Sequence, residues 1–423
     1  MLDVDDVMTD PAFRNDPYPF WAQLRARRPV CQARTGLWLV TRFGDVESAL
    51  RDPRFSSSQA RFPTRLRVLG QLSAESMERV FGRSMLHLDP PEHTRLRRVV
   101  SGSFNPRRIE RMRPLVRQLA HYLIEEASDA REMDLITDFA YPLPVTIIFE
   151  RFGIPFPDRP ALARLIRRHR EARLALVLEK TRRSSDLGKD TQATVSPPGG
   201  SVQIMERTAA ELRDYLEHLI RVRQHTPGED VLTELLDIAS RSEPGKDKMS
   251  TAELVGTAML LLIAGQETTI NLIGNGVLAL MRHPRAYERL KDDRSLVGNA
   301  VEELLRYDTP IQVVPRVVRD PLDVGGHHLP GDSEILLVLA AANRDPDRFD
   351  DPDELDITRR ENHHLALGGG PHYCLGGHLA RLEASEALHA LLHYAPGLRL
   401  TDGDLQWRPN PFLRGLESLP VCF

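Results

Sequence analysis

Cysteine is scarce in this chain: Cys31, Cys374 and Cys422 are the three present in 423 residues. Three cysteines make neither a disulfide framework nor a zinc site, and they fit a reducing cytoplasm. Long apolar runs are missing too. The longest apolar segment, Leu254 to Gly265, is too short to span a bilayer. The opening MLDVDDVMTDPAF is acidic and has no apolar core, which argues against a signal peptide. One-sided charge is absent as well: 56 Lys and Arg stand against 60 Asp and Glu, a net charge of -4. That balance gives no overall nucleic-acid or membrane signal. The expectation is a cytoplasmic protein that works away from membranes and nucleic acid. Length alone suggests two or three domains, yet no low-complexity linker divides the chain. No flavin or dinucleotide fingerprint appears either.

What is present begins with one loop. From His364 to Gly377 the chain reads HLALGGGPHYCLGG. Ala380, Ala384, Ala387, Leu388 and Leu391 then repeat at helical spacing. Cys374 therefore stands behind a glycine-rich loop, at the N-terminal mouth of a helix. Glycines let backbone N–H groups approach the sulfur, and the helix end carries partial positive charge that lowers a thiol pKa. A thiolate so held serves as a nucleophile or a metal ligand. A lone cysteine is equally often a small buried hydrophobe.

Four further stretches carry polar groups in unusual places. In DPPEHTRLRR, from Asp89 to Arg98, the prolines set a helix start, and His93 and Arg97 share one face. A solvated basic helix explains this run; an anion site explains it too. Ser250 to Glu253 reads as a capping box that opens a helix apolar on nearly every side, from Leu254 to Leu280. Inside it, Ala264-Gly265-Gln266-Glu267-Thr268-Thr269 places an acid and two hydroxyls where burial is costly, unless Thr268 bonds back to a carbonyl. Glu303 and Arg306 form an i, i+3 pair, weak evidence by itself. From Arg107 to about Phe152 the pattern is helical. The next helix carries Arg164, Arg167, Arg168, Arg170 and Arg173, which a solvated face accounts for; attraction of an anionic substrate or carrier protein is the alternative.

In this order the strings resemble the cytochrome P450 family. Gly368, Gly370, His372, Cys374 and Gly376 fall on the fixed positions of its heme-binding loop, while Leu367 stands where the family usually has Phe. The D-P-P-x-H-x-x-x-R, A-G-x-E-T and E-x-x-R patterns match as well. The resemblance implies a fold that is mainly α with a smaller β region (α+β), a prism of helices enclosing one heme, in a single domain over 1–423. It implies heme b, with Cys374 as axial iron ligand in the 363–377 loop. His93, Arg97, Arg316 and His372 would hold the propionates. Glu267 and Thr268, on a central oxygen-activating helix over 250–282, would manage protons. Glu303, Arg306 and Arg344 would be structural. Residues 55–85 would form a substrate-side loop and 183–201 a flexible lid. Met259, Leu260, Ile263, Ala264, Gln312, Val313, Val314 and Phe412 are expected to wall the pocket, with Gln312 as a polar anchor.

The activity so implied is insertion of one oxygen atom from O2 into a hydrophobic or amphipathic small molecule, by hydroxylation or epoxidation, as a tailoring step of secondary metabolism. Electrons would come from a ferredoxin and its NAD(P)H-dependent reductase, docking near Arg95, Arg98, His378 and Arg381 on a monomer. Oxidative coupling, peroxide-driven oxidation and a non-catalytic heme sensor are the other classes compatible with the resemblance.

Overall fold

A computed structural model of the chain describes residues 10–58, 84–128, 131–186, 199–241, 249–401 and 403–423. In chain order, helix α1 (Tyr18–Arg27) leads to strands β1 (Val30–Gln32) and β2 (Trp38–Val40), helix α2 (Phe43–Arg51) and the short β3 (Phe55–Ser56). Most of the 55–85 stretch, residues 59–83, lies outside the described residues. Helix α3 (Glu92–Ser101) starts directly after Pro91, as the double proline predicts. Helix α4 (Arg113–Ser128), strand β4 (Glu132–Asp134) and helix α5 (Pro142–Arg151) follow.

The expected helical run from Arg107 to Phe152 is thus interrupted, first after Glu110 and again after Ser128. Strand β4 pairs antiparallel with the C-terminal strand, and a six-residue turn over Leu135–Ala140 with i→i+5 geometry joins it to α5. Helical periodicity continues through this turn, which is why the pattern misreads it. Helices α6 (Arg159–Asp186) and α7 (Gly199–His225) pack against each other. They take up both ends of the 183–201 stretch, and its middle, 187–198, lies outside the described residues. Helix α8 (Val231–Arg241) completes this half.

Helix α9 (Thr251–Arg282) is the axis of the structure. Its start is fixed by the predicted capping box: the Ser250 hydroxyl accepts from the Glu253 N–H while the Glu253 carboxylate accepts from the Ser250 N–H. Glu253 also pairs with Arg95 of α3. Because α9 is apolar on every side, it packs against α5, α7, α10 (Val297–Tyr307) and α11 (Gly377–Tyr394) at once.

Between α10 and α11 lie β5 (Val313–Val318), the hairpin β6 (Leu322–Val324) and β7 (His327–Leu329), and β8 (Glu334–Val338). One sheet runs in the order β1-β2-β8-β5-β3, with β2 and β8 parallel and its other pairs antiparallel. A second sheet joins β4 to β9 (Arg399–Leu400) and β10 (Pro420–Cys422). The segment from Pro411 to Leu416 is a loop, held by isolated bridges from Ile311 to Leu413 and from Trp407 to Leu416. Among the described residues no helix is long and apolar enough to cross a membrane.

The Glu303–Arg306 pair sits at the centre of this connection with both side chains fully buried, 2.8 Å apart. Arg306 also donates to the carbonyls of Asn343, Pro352 and Glu354. Arg344 lies beside it, donating to the Tyr307 carbonyl with its guanidinium over the rings of Tyr18 and Tyr307. The sequence reading did not include Arg359, which adds a second cation to Glu303 at 3.3 Å.

Candidate active site

The loop before α11 has little regular structure, so side chains hold it in place. The Asn343 amide oxygen accepts the Leu365 N–H at 2.7 Å, and His364 reaches Glu302 at 3.2 Å. The Cys374 N–H donates to the Leu367 carbonyl at 2.8 Å, closing the turn around the sulfur. Gly368 and Gly370 adopt φ of 71° and 61°, where a side chain is strained. At Gly370 a Cβ would also collide with the Leu50 carbonyl and lie 3.0 Å from Arg51 Cα. Gly370→Ala is therefore expected to cost about 1–3 kcal/mol of stability. A thermal midpoint equal to that of the parent protein would refute this. Gly376 differs: its φ is -82°, and a Cβ there would meet no protein atom within 4 Å. Neither backbone nor protein packing demands glycine at 376, and the open space lies next to Cys374.

Burial pushes the Cys374 thiol up, against the Gly376 N–H and the guanidiniums of Arg381 and Arg97, which pull it down. Helix α11 starts at Gly377.

Around the sulfur stands a set of donors that outnumber the acids among the described residues. His93 is 1% exposed, and neither of its ring nitrogens has a hydrogen-bond partner. Its ring lies 4.1 Å from that of His372. Burial, then Arg316, His93 and Arg97, hold His372 down to about 3. Arg316 is 6% exposed; its one hydrogen bond is to the Pro315 carbonyl, and burial lowers it to about 10. Arg97 donates to the Tyr373 carbonyl at 2.6 Å. Asp89 is the acid acting on both His93 and Arg316, and it is bonded to Ser56 and Ser57. So four donor side chains converge from α3, β5 and the cysteine loop with surplus positive charge. Burying them is costly unless an anion completes the set. A planar group bearing two carboxylates and an iron for the sulfur fits that donor set.

One face of α9 is open. Leu260, Ile263, Glu267 and Thr268 are partly accessible and Ala264 is exposed, while Leu261, Leu262, Gln266 and Thr269 are buried. The accessible positions fall at helical spacing, so they form one stripe. Thr268 donates to the Ala264 carbonyl at 3.1 Å. Glu267 lies 3.6 Å from Arg170 and 3.6 Å from Arg408. The sequence reading did not foresee these two partners.

Three expected wall residues are buried. Met259 and Val313 are each 2% exposed and belong to packed cores. Gln312 is 4% exposed, and its amide nitrogen donates to the Thr309 carbonyl at 2.7 Å. Phe412 is partly accessible and packs against the cluster of Phe13, Trp21 and Val338. Val314 is half-buried.

Behind α9 the acid Glu383 is 1% exposed, with one carboxylate oxygen unpartnered. Burial raises it to about 8 against a hydrogen bond from Thr269. A raised folded-state value means that its contribution to stability is present below the ordinary glutamate range and is lost as pH rises towards 8. Glu383→Gln is expected to flatten that decline, measured as urea midpoints between pH 5 and pH 8; parallel curves would refute it.

A mainly helical α+β fold with a central apolar helix above a cysteine loop and an acid-poor cluster of donors is the architecture of a heme-thiolate enzyme. Residues 70–394 match the family model Cytochrome P450. The chain is 38% identical to cytochrome P450 monooxygenase PikC of Streptomyces venezuelae, over 97% of this chain and 91% of that protein. It is 34% identical to the polyketide biosynthesis cytochrome P450 PksS of Bacillus subtilis, over 97% and 96%. A solved PksS structure superposes with a TM-score of 0.83 at 32% identity, covering 98% of each chain. P450BioI, solved in complex with a hexadec-9Z-enoic acid ligated acyl carrier protein, superposes with a TM-score of 0.82 at 33% identity, over 97% and 99%. The chain belongs to the cytochrome P450 family. The family's monooxygenases are heme-thiolate enzymes, and the cofactor is heme b.

Proposed function

We propose that the chain inserts one oxygen atom from O2 into a hydrophobic or amphipathic small molecule, as a tailoring monooxygenase of secondary metabolism. The observation that carries the site assignment is the convergence of His93, His372, Arg97 and Arg316, with no acid among them, beside Cys374 and below the open stripe of α9. Heme bound there supplies the one-electron and dioxygen chemistry.

The chain's own residues do the rest. The Cys374 sulfur would ligate the iron. Arg97, Arg316, His93 and His372 would take the two propionates. Thr268 donates to the Ala264 carbonyl, and its hydroxyl oxygen still has lone pairs to accept from a cavity water. Glu267 sits one residue away, so hydroxyl and carboxylate together order the water that carries protons inward. Leu260, Ile263, Ala264 and Val314 give the cavity an apolar wall. The relatives named for polyketide biosynthesis support a tailoring role. Residues 1–423 act as one domain in the cytoplasm, as a monomer served by a ferredoxin and an NAD(P)H-dependent ferredoxin reductase.

Two measurements test this reading. Reduced protein treated with carbon monoxide should show the red-shifted Soret band of thiolate-bound heme, and ferredoxin with its reductase should drive NAD(P)H-dependent product formation. Absence of the band defeats the assignment; a band without turnover leaves a sensor.

Of the four residues expected to dock the electron donor, two are the more exposed. Arg381 is committed to Glu302 through paired bonds of 2.6 and 2.8 Å, and Arg95 to Glu253. Arg98 and His378 are exposed. Arg98→Glu should slow reduction by reduced ferredoxin several-fold, more so at low salt, while substrate affinity stays unchanged. Equal loss of both would refute the docking face.

A further inference from the structure

Beside the cysteine loop lies an ion pair that the chemistry above leaves unused. Glu302 of α10 accepts from Arg381 of α11 through paired bonds, 2.6 Å from Nε and 2.8 Å from Nη2. The remaining Nη1 turns the other way, to the Tyr373 hydroxyl at 3.2 Å and the Gly377 carbonyl at 3.4 Å. Gly377 measures how near this brings the guanidinium to the cysteine: a Cβ there would lie 3.3 Å from Arg381 Nη1 and 3.8 Å from the Cys374 Cβ. One methyl group would fill the space between them. The guanidinium also acts electrostatically on Cys374, more strongly than Arg97 does.

A third residue keeps the pair in this orientation. The Ala366 N–H donates to His364 Nδ1 at 3.2 Å, so the ring proton sits on Nε2, which lies 3.2 Å from Glu302. Burial opposes ionisation of Glu302, yet hydrogen bonds from Arg381 and then His364 hold it down to about 2. Glu302 in turn raises Arg381. Both charges therefore persist across the neutral range. The two side chains are 27% and 28% exposed, so solvent screens the pair only in part. The result is a fixed dipole with its positive end towards Cys374.

We propose that Arg381 and Glu302 are positioning residues that set the heme iron's reduction potential through Cys374. The proposal rests on ligation of the iron by that sulfur. On reduction the ferric iron takes one electron from the ferredoxin, which is oxidised, and the site gains one negative charge. A cation near the sulfur stabilises that charge, and an anion opposes it. Arg381 therefore favours the reduced state, and Glu302, bound on the far edge of the guanidinium, tempers it.

The potential is read on heme-loaded protein by redox titration with dithionite, followed at the Soret band. Arg381→Gln should lower it and Glu302→Gln should raise it, each shifting the ferric–ferrous equilibrium about threefold, or about 30 mV at about 59 mV per tenfold. The double variant should fall between the parent and Arg381→Gln. Opposite signs mark a charge effect, since a loosened loop would move both single variants the same way. Shifts of one sign, or none in either variant, overturn the proposal. Arg381→Lys keeps the charge and gives up the paired bonds, so its potential should stay at the parent's; a threefold shift there overturns the proposal as well. This lysine variant decides the matter if a glutamine variant takes up no heme. The red-shifted Soret band with carbon monoxide shows that each variant is folded and thiolate-ligated. Failure of the ligation reading looks different: the parent itself would lack that band.

Discussion

Glu303→Gln is expected to destabilise the folded protein by about 3–5 kcal/mol, enough to remove most of an ordinary domain's stability. The change keeps shape and volume, so the cost is one of charge. Glu303 is fully buried and accepts from Arg306 through paired bonds of 2.8 Å, from the Asp356 N–H at 2.9 Å and from Asn362 at 3.0 Å. Arg359 approaches it at 3.3 Å. Neutralising the acid leaves two guanidiniums in a dry interior, and Arg306 is tethered to three carbonyls and cannot leave. The contrast is Arg207→Gln, whose partner Glu211 lies at a similar 2.8 Å but whose side chain is 72% exposed. That change should cost less than about 1 kcal/mol. Urea unfolding of the heme-loaded variants decides it. Comparable midpoints for the two would mean that burial adds nothing to the Glu303 pair.

The same contrast explains what could be read from the sequence. The capping box at Ser250 was legible because both partners lie within one turn, and so was the start of α3 after Pro90 and Pro91. Local signals of this kind depend on neighbours in the chain. The partners of Glu267 do not: Arg170 is about a hundred residues before it and Arg408 well over a hundred after it, with no periodicity linking them. Five arginines on α6 look like a solvated face, and for Arg164, Arg167 and Arg168, which are exposed, that reading holds. Arg170 breaks it, since it turns inward to pair with Glu267 of α9. Burial of three expected wall residues escaped the sequence for a related reason. Along α9, helical spacing separates Leu260 and Ala264 from the rest, but burial of Met259 depends on α9's neighbours. In β5, alternation alone could not say which face of Val313 and Val314 meets the cavity. For Cys374, position near a helix start was legible, while the burial that opposes ionisation of its thiol is a tertiary quantity.

Cys374→Ser should remove the thiolate signature altogether while leaving the fold in place. Serine differs from cysteine by one atom, and the loop that carries it is held by other groups: the Leu367 carbonyl on the residue's own N–H, Asn343 on Leu365, and the positive φ of Gly368 and Gly370. None of these touches the sulfur. The donors for the propionates, His93, Arg97, Arg316 and His372, also remain. Heme should therefore still bind, more weakly. A serine hydroxyl in a buried site stays protonated and gives up little electron density, whereas thiolate ligation pushes density towards O–O cleavage. Reduced protein treated with carbon monoxide should lose the red-shifted Soret band, and NAD(P)H-dependent product formation should fall below detection, with far-UV circular dichroism unchanged. Retention of that band in the serine variant would rule out Cys374 as the ligand, since neither Cys31 nor Cys422 lies in the glycine-rich loop. Loss of the fold together with heme would instead show that the cofactor, not the loop's own hydrogen bonds, holds residues 364 to 377 in shape.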